Sequence, residues 1–114
     1  MPYNKEIINQ LLSEHIFPTQ QLQRAYDVKS EHAQIDYFTD EYNAMVLQWI
    51  VQQPIVKSFS IARFENQFSV SIYTYSNVEI RCSNSDGEKD INLLLCLLAL
   101  TMRGVDLTKA IEKP

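Results

Sequence analysis

The sequence predicts an α+β fold: a three-stranded antiparallel meander packed by a C-terminal Leu-rich helix, with two or three helices before it. Three observations predict it. Apolar residues recur at helical spacing up to Pro54, the period drops to two between Val56 and Ser83, and a Leu-rich run follows. The 114 residues make one domain, 1–114, helical over 1–53, sheet over 57–83 and core helix over 86–103. Hydrophobic residues form 46% of the chain, enough to fill a core and too much for a disordered chain. Gly87 and Gly104 are the only glycines, which excludes a P-loop and a dinucleotide fingerprint, both of which need clustered glycines.

Asn4 caps a first helix to about His15, with Ile7, Ile8, Leu11 and Leu12 on one face. Pro18 stops it, and Thr19 caps a short second helix with Leu22, Ala25 and Tyr26 turned inward. Lys29 to Phe38 reads as a loop. Thr39 or Asp40 then caps a third helix, whose stripe is Tyr42, Met45, Val46, Trp49 and Ile50, ending at Pro54.

Strands are expected over 57–64, 68–75 and 78–83, where apolar and polar residues alternate. Their short connections require antiparallel neighbours, because parallel ones need a crossover. A two-residue turn at Glu65–Asn66 sets Phe59 against Ile72 and Ile61 against Val70. A three-residue loop at Tyr75–Asn77 pairs Ile72 with Ile80 and Val70 with Cys82. Both hairpins then agree on one apolar face, and a one-residue slip in either would destroy it.

Ser85 and Glu88 fit a capping box for the last helix. Ile91, Leu94, Leu95, Leu98 and Met102 form its stripe, while Leu93, Leu97 and Leu100 add apolar surface elsewhere. A helix apolar nearly all round is buried on both sides or buried in a dimer, so a homodimer through Ile91–Met102 is one expectation. Gly104 suits the position after the helix end, and Asp106 caps a last short turn. The second sheet face carries Ser58, Ser60, Ser69, Ser71, Tyr73, Tyr75, Glu79 and Arg81. If solvated, the fold has two layers. If the N-terminal helices cross it, the fold is a three-layer α/β/α sandwich.

The run Asp90-Ile91-Asn92-Leu93-Leu94-Leu95-Cys96-Leu97-Leu98-Ala99-Leu100, following paired strands and a polar loop, resembles the small phage accessory proteins of ABA-sandwich type. The resemblance covers the C-terminal half, Ser58 to Asp106. It implies a phage or prophage origin and an accessory role, and it supplies no catalytic residues.

The chain has 10 Lys and Arg against 14 Asp and Glu, a formal net charge of −4. No two basic residues adjoin, so direct nucleic-acid binding is not expected. Ser30 to Val56 holds no Lys or Arg, while Glu31, Asp36, Asp40 and Glu41 are acidic. Such a stretch attracts a basic partner or is simply solvated. The N-terminal residues lack a signal-peptide pattern, and the longest apolar run, Leu93 to Leu100, is far short of the roughly 20 residues a membrane span needs. A cytoplasmic protein without membrane attachment is expected.

Catalytic and metal chemistry find little footing. His15 and His32 lack ligand-spaced neighbours, no GxSxG elbow is present, and Asp86, Glu88 and Asp90 do not have calcium-loop spacing. No metal, cofactor or catalytic residue is expected. Cys82 and Cys96 lie at core phases outside any CxxC pair and read as reduced thiols, with a Cys82–Cys96 disulfide as the other reading.

Two surfaces are candidates for binding. The first is the acidic-aromatic segment, with Glu31, Asp36, Tyr37, Phe38, Asp40 and Glu41 against a host or phage protein. Its alternative is a loop folded onto its own core. The second is Tyr73, Tyr75 and Arg81 on the sheet, against a protein or a small nucleotide. The leading expectation is a non-enzymatic phage or mobile-element accessory protein that inhibits a host complex. A nucleotide binder and a homodimeric assembly protein are the rivals.

Overall fold

The computed structural model describes residues 3–27, 34–65, 67–83 and 91–111. The chain runs through helices α1 (Lys5–His15), α2 (Pro18–Asp27) and α3 (Asp40–Gln52). Strands β1 (Val56–Phe64), β2 (Gln67–Thr74) and β3 (Glu79–Ser83) follow, and α4 (Ile91–Met102) closes the fold. A 3-10 turn, Thr108–Ala110, comes last.

Asn4 caps α1 as expected, its side-chain oxygen accepting from Glu6 N at 3.0 Å and Ile7 N at 3.3 Å. Pro18 does more than stop α1: it is the first residue of α2, where its missing N–H costs nothing. Thr19 therefore lies inside α2 and does not cap it. Leu22 and Tyr26 are exposed, contrary to the inward orientation expected. The inward position is taken by Gln21, whose Oε1 accepts from Ser13 Oγ at 3.0 Å and Ile35 N at 3.3 Å. Polar contacts, not an apolar stripe, hold α2 to the body.

The sheet order is β1-β2-β3, both pairs antiparallel. Phe59↔Ile72, Ile61↔Val70, Ile72↔Ile80 and Val70↔Cys82 are the cross-strand partners, as the shared apolar face required. At the second turn Asn77 N donates to the Thr74 carbonyl at 2.9 Å, and Asn77 takes φ 64°. A three-residue hairpin loop that ends on a left-handed residue is a common way to join two strands.

α4 is the centre of the molecule. One side packs on β2 and β3, and the rest meets α3 and α1. Leu93 to Leu100 are all buried, each at most 6% exposed. The homodimer expected through Ile91–Met102 is not supported, because Leu93 to Leu100 are already buried within this chain. A Schellman motif ends it: Gly104, at φ 79°, donates to the Thr101 carbonyl and Val105 to Leu100, both at 3.0 Å. Asp106 then accepts from Thr108 N at 2.9 Å, and an isolated bridge joins Tyr3 to Ile111.

α3 touches β1 beside α4, whereas neither α1 nor α2 contacts the sheet. The described helices therefore stack on one face, and the layers run sheet, α4 with α3, then α1 with α2. The three-layer sandwich with helices on both faces is not adopted. Two apolar surfaces of α4 need two covers, and putting α1 across it satisfies both while leaving the Ser-rich face to solvent. The expected capping box at Ser85 and Glu88 lies outside the described residues.

Candidate functional site

The acidic-aromatic segment divides between inside and outside. Tyr37 is 0% exposed. Its ring stacks on Phe17 at 5.3 Å between centroids and meets Tyr42 edge-on at 6.2 Å. Its backbone N–H donates to Asn9 Oδ1 at 2.9 Å, its carbonyl accepts from Asn43 Nδ2 at 3.0 Å, and its phenol lies 3.2 Å from Ser13 Oγ. Burial pushes the Tyr37 phenol above its ordinary pKa. Phe38 is half-buried under the Lys5 ammonium, 4.9 Å from the ring centroid. Tyr37 is thus a core residue and is not available to a partner. Among the described residues of the segment, the acids Asp36, Asp40 and Glu41 are exposed. Asp36 Oδ1 accepts from Phe38 N at 3.0 Å, while Asp40 and Glu41 are exposed in the first turn of α3, where its dipole favours them. Glu31 lies outside the described residues.

The second surface is open. Ser58, Ser60, Tyr73, Tyr75 and Arg81 are exposed, with Glu79 partly so. Register places Tyr73 opposite Glu79 and Ser71 opposite Arg81. The Tyr73 phenol donates to Glu79, and Arg81 Nε pairs with Glu79 Oε1 at 2.7 Å. The carboxylate beside it holds the Tyr73 phenol protonated, above its ordinary pKa. Ser60 and Ser71 share a hydrogen bond at 2.9 Å. Ser71, on the central strand, is only 5% exposed, so the accessible part of this face is formed by Ser58, Ser60, Tyr73, Tyr75 and Arg81.

The geometry speaks against a nucleotide here. The depression beside Arg81, lined by Ala62, Gln67, Phe68, Ser69, Arg81 and Ser83, is about 160 Å³. Ligand pockets span about 300–1,000 Å³. Glu79 also offsets the Arg81 charge that a phosphate would need.

One end of the sheet adds apolar surface. Around the β2–β3 turn, Ile55 is 53% exposed, Tyr73 42%, Tyr75 70% and Val78 53%. They are neighbours through the backbone: Tyr75 N donates to the Ile55 carbonyl at 3.2 Å, and Thr74 N to Val78 at 2.9 Å. Ile55 and Val78 escaped the sequence reading because each continues an apolar pattern. The signal was their position, one residue after Pro54 and one after Asn77, at the sheet margin.

Other candidates stand apart. His15 is exposed, with its carbonyl accepting from Arg103 Nε at 3.3 Å. His32, Asp86, Glu88 and Asp90 lie outside the described residues. Cys82 and Cys96 are both free, so the disulfide is not formed. Burial raises the Cys82 thiol pKa. Among the described residues, no group of three or more His, Cys, Asp or Glu is placed to hold a metal ion. No helix among them is long and apolar enough to cross a membrane. No family model matches the chain, and no curated protein or solved structure matches it.

Proposed function

We propose that this chain is a non-enzymatic binding protein that engages a protein partner through the open face of its sheet, at the β2–β3 end. The observation that carries this is the exposed cluster Ile55, Tyr73 and Tyr75 beside the Glu79–Arg81 pair, with exposed Val78 at the margin of the same turn. Apolar and aromatic area rimmed by polar groups is the usual composition of a protein interface. Tyrosines supply contact area at low entropic cost, and a fixed ion pair sets orientation. A partner with an apolar centre and mixed charge at its rim fits this surface. Occlusion of a partner's working surface is an activity that needs nothing else from a chain this small. The accessory inhibitor expected from the sequence acts in that way, with the sheet end in place of the acidic-aromatic loop.

Site-specific photo-crosslinking tests the reading. A photoreactive residue at Tyr75 should capture one partner in the native cell, and the same residue at Glu14, on exposed α1, should not. With that partner purified, Tyr75→Ala and Arg81→Glu should each weaken binding about tenfold or more, as residues at the centre of an interface do. Equal capture from both positions, or unchanged affinity of both variants, rejects the sheet end as the binding surface.

A further inference from the structure

We infer that the cleft between α2 and α3 binds one neutral sugar ring, a hexopyranose, with its apolar face over Met45 and Trp49 and its hydroxyls on three glutamines. The cleft exists because Gln21 ties α2 to the body through polar contacts. Among the described residues, α2 packs on α1 and not on α3. Between the two helices lies a cavity of about 220 Å³. Ile16 and Phe17, at the corner between α1 and α2, and Met45 and Trp49, one turn apart on α3, give it an apolar lining. Phe17 is buried, and the other three are half-buried, so part of their surface is reachable. Gln20 stands on the α2 side, and Gln48 and Gln52, one turn apart, on the α3 side. All three are exposed. Gln10, Gln23 and Gln53 each bond a group four residues away along the chain. Among the described residues, the side chains of Gln20, Gln48 and Gln52 make no such bond.

The lining selects the occupant. No charged side chain belongs to it. An ion placed there would lose water without gaining a counter-charge, so the ligand is neutral. Each carboxamide offers both a donor and an acceptor, and so does each hydroxyl of a sugar. Amides on two sides with apolar surface between them match a ligand that is polar at its rim and apolar on one face. A pyranose has that form, with C–H bonds on its face and hydroxyls around its edge. The indole of Trp49 supplies apolar area for such a face. Size agrees, because drug-sized ligands fill about 300 Å³ or more, and this cavity is smaller. Gln20 also borders the next depression, where Arg24 and Asp27 bring charge, so the neutral site is one ring long. This site lies on the helical side of the molecule. It uses a different surface from the sheet end and does not depend on it.

Nuclear magnetic resonance titration of the isotope-labelled full chain tests it, with glucose, galactose, mannose and N-acetylglucosamine as ligands. Each is taken to about 20 mM, since a ligand this small binds with a Kd on the order of 1 mM. At least one sugar should shift the side-chain amides of Gln20, Gln48 and Gln52 and the indole N–H of Trp49, the only tryptophan, with saturation. Tyr73 and Tyr75 should not move. Gln48→Ala and Gln52→Ala change exposed side chains and keep the fold; each should weaken binding about fivefold or more. Gln67→Ala, on the sheet, should bind as the parent does. A methyl glycoside that binds equally well identifies the terminal residue of a glycan as the source, and one that does not identifies the free sugar; both support the site. Failure of all four sugars to saturate these signals overturns the proposal. So does saturation by adenosine alone, which would assign the cleft to a nucleobase, or unchanged affinity in both glutamine variants of the cleft.

Discussion

Asn43 Nδ2 donates to the carbonyl oxygen of Tyr37 at 3.0 Å and to that of Asn92 at 3.1 Å. One buried amide on α3 thus ties the preceding loop to the start of α4. It fixes Tyr37 inside the core, while Asp36, Asp40 and Glu41 are exposed among the described residues of the acidic-aromatic segment. Removing the amide strands two carbonyls in a dry environment. Asn43→Leu should therefore destabilise the fold by about 1–3 kcal/mol in urea unfolding, with an unchanged m-value.

Tyr37→Ala should cost about 3–5 kcal/mol, as large-to-small core substitutions do. Neutralising Asp36, Asp40 or Glu41 should shift stability by no more than about 1 kcal/mol. Thermal unfolding of the four variants checks this contrast. A Tyr37→Ala chain as stable as the parent would mean that the ring is not packed inside.

Stability should fall in alkali because of the same residue. Burial raises the folded pKa of Tyr37 above its unfolded value. Its contribution is complete below the unfolded value of about 10, and it is lost as pH rises toward the folded one. Tyr37→Phe removes the phenol and its contact with Ser13, so it should be about 1 kcal/mol less stable at pH 7. That gap should narrow above pH 10, because only the parent carries the ionisation penalty. Denaturant titrations of both chains at pH 7, 9 and 10.5 read the effect directly.

Both thiols should resist a disulfide-exchange reagent in the native state. Cys96 is buried, and burial raises the Cys82 pKa, lowering its thiolate fraction. Two equivalents should react in denaturant without prior reduction. A chain that needs reductant first would contradict the free thiols.

The sheet was legible because two constraints coincided. Each hairpin loop allowed one register that kept Ile72, Val70, Phe59 and Ile61 on a single face, and a slip would have moved all four. Burial of α4 was legible from Leu93, Leu97 and Leu100 outside its main stripe, but what buried it was not. α1 and a second copy present similar apolar surfaces to a sequence reading. α2 misled because Gln21 faces inward through hydrogen bonds with Ser13 and Ile35, which depend on residues 8 and 14 positions away. Tyr37 was ambiguous for the same reason: Asn9 and Asn43, which hold its backbone, come from two different helices. The open sheet face was undecided because alternating serines suit both a solvated face and close helix packing.

Nuclear magnetic resonance mapping of the complex with the partner captured through Tyr75 tests the sheet-end site most directly. Amide shifts should move or broaden at Ile55, Tyr73, Tyr75, Val78, Glu79 and Arg81, leaving the first turn of α3 unaffected. Perturbations centred on Asp36, Asp40 and Glu41, with the sheet end unchanged, would contradict it.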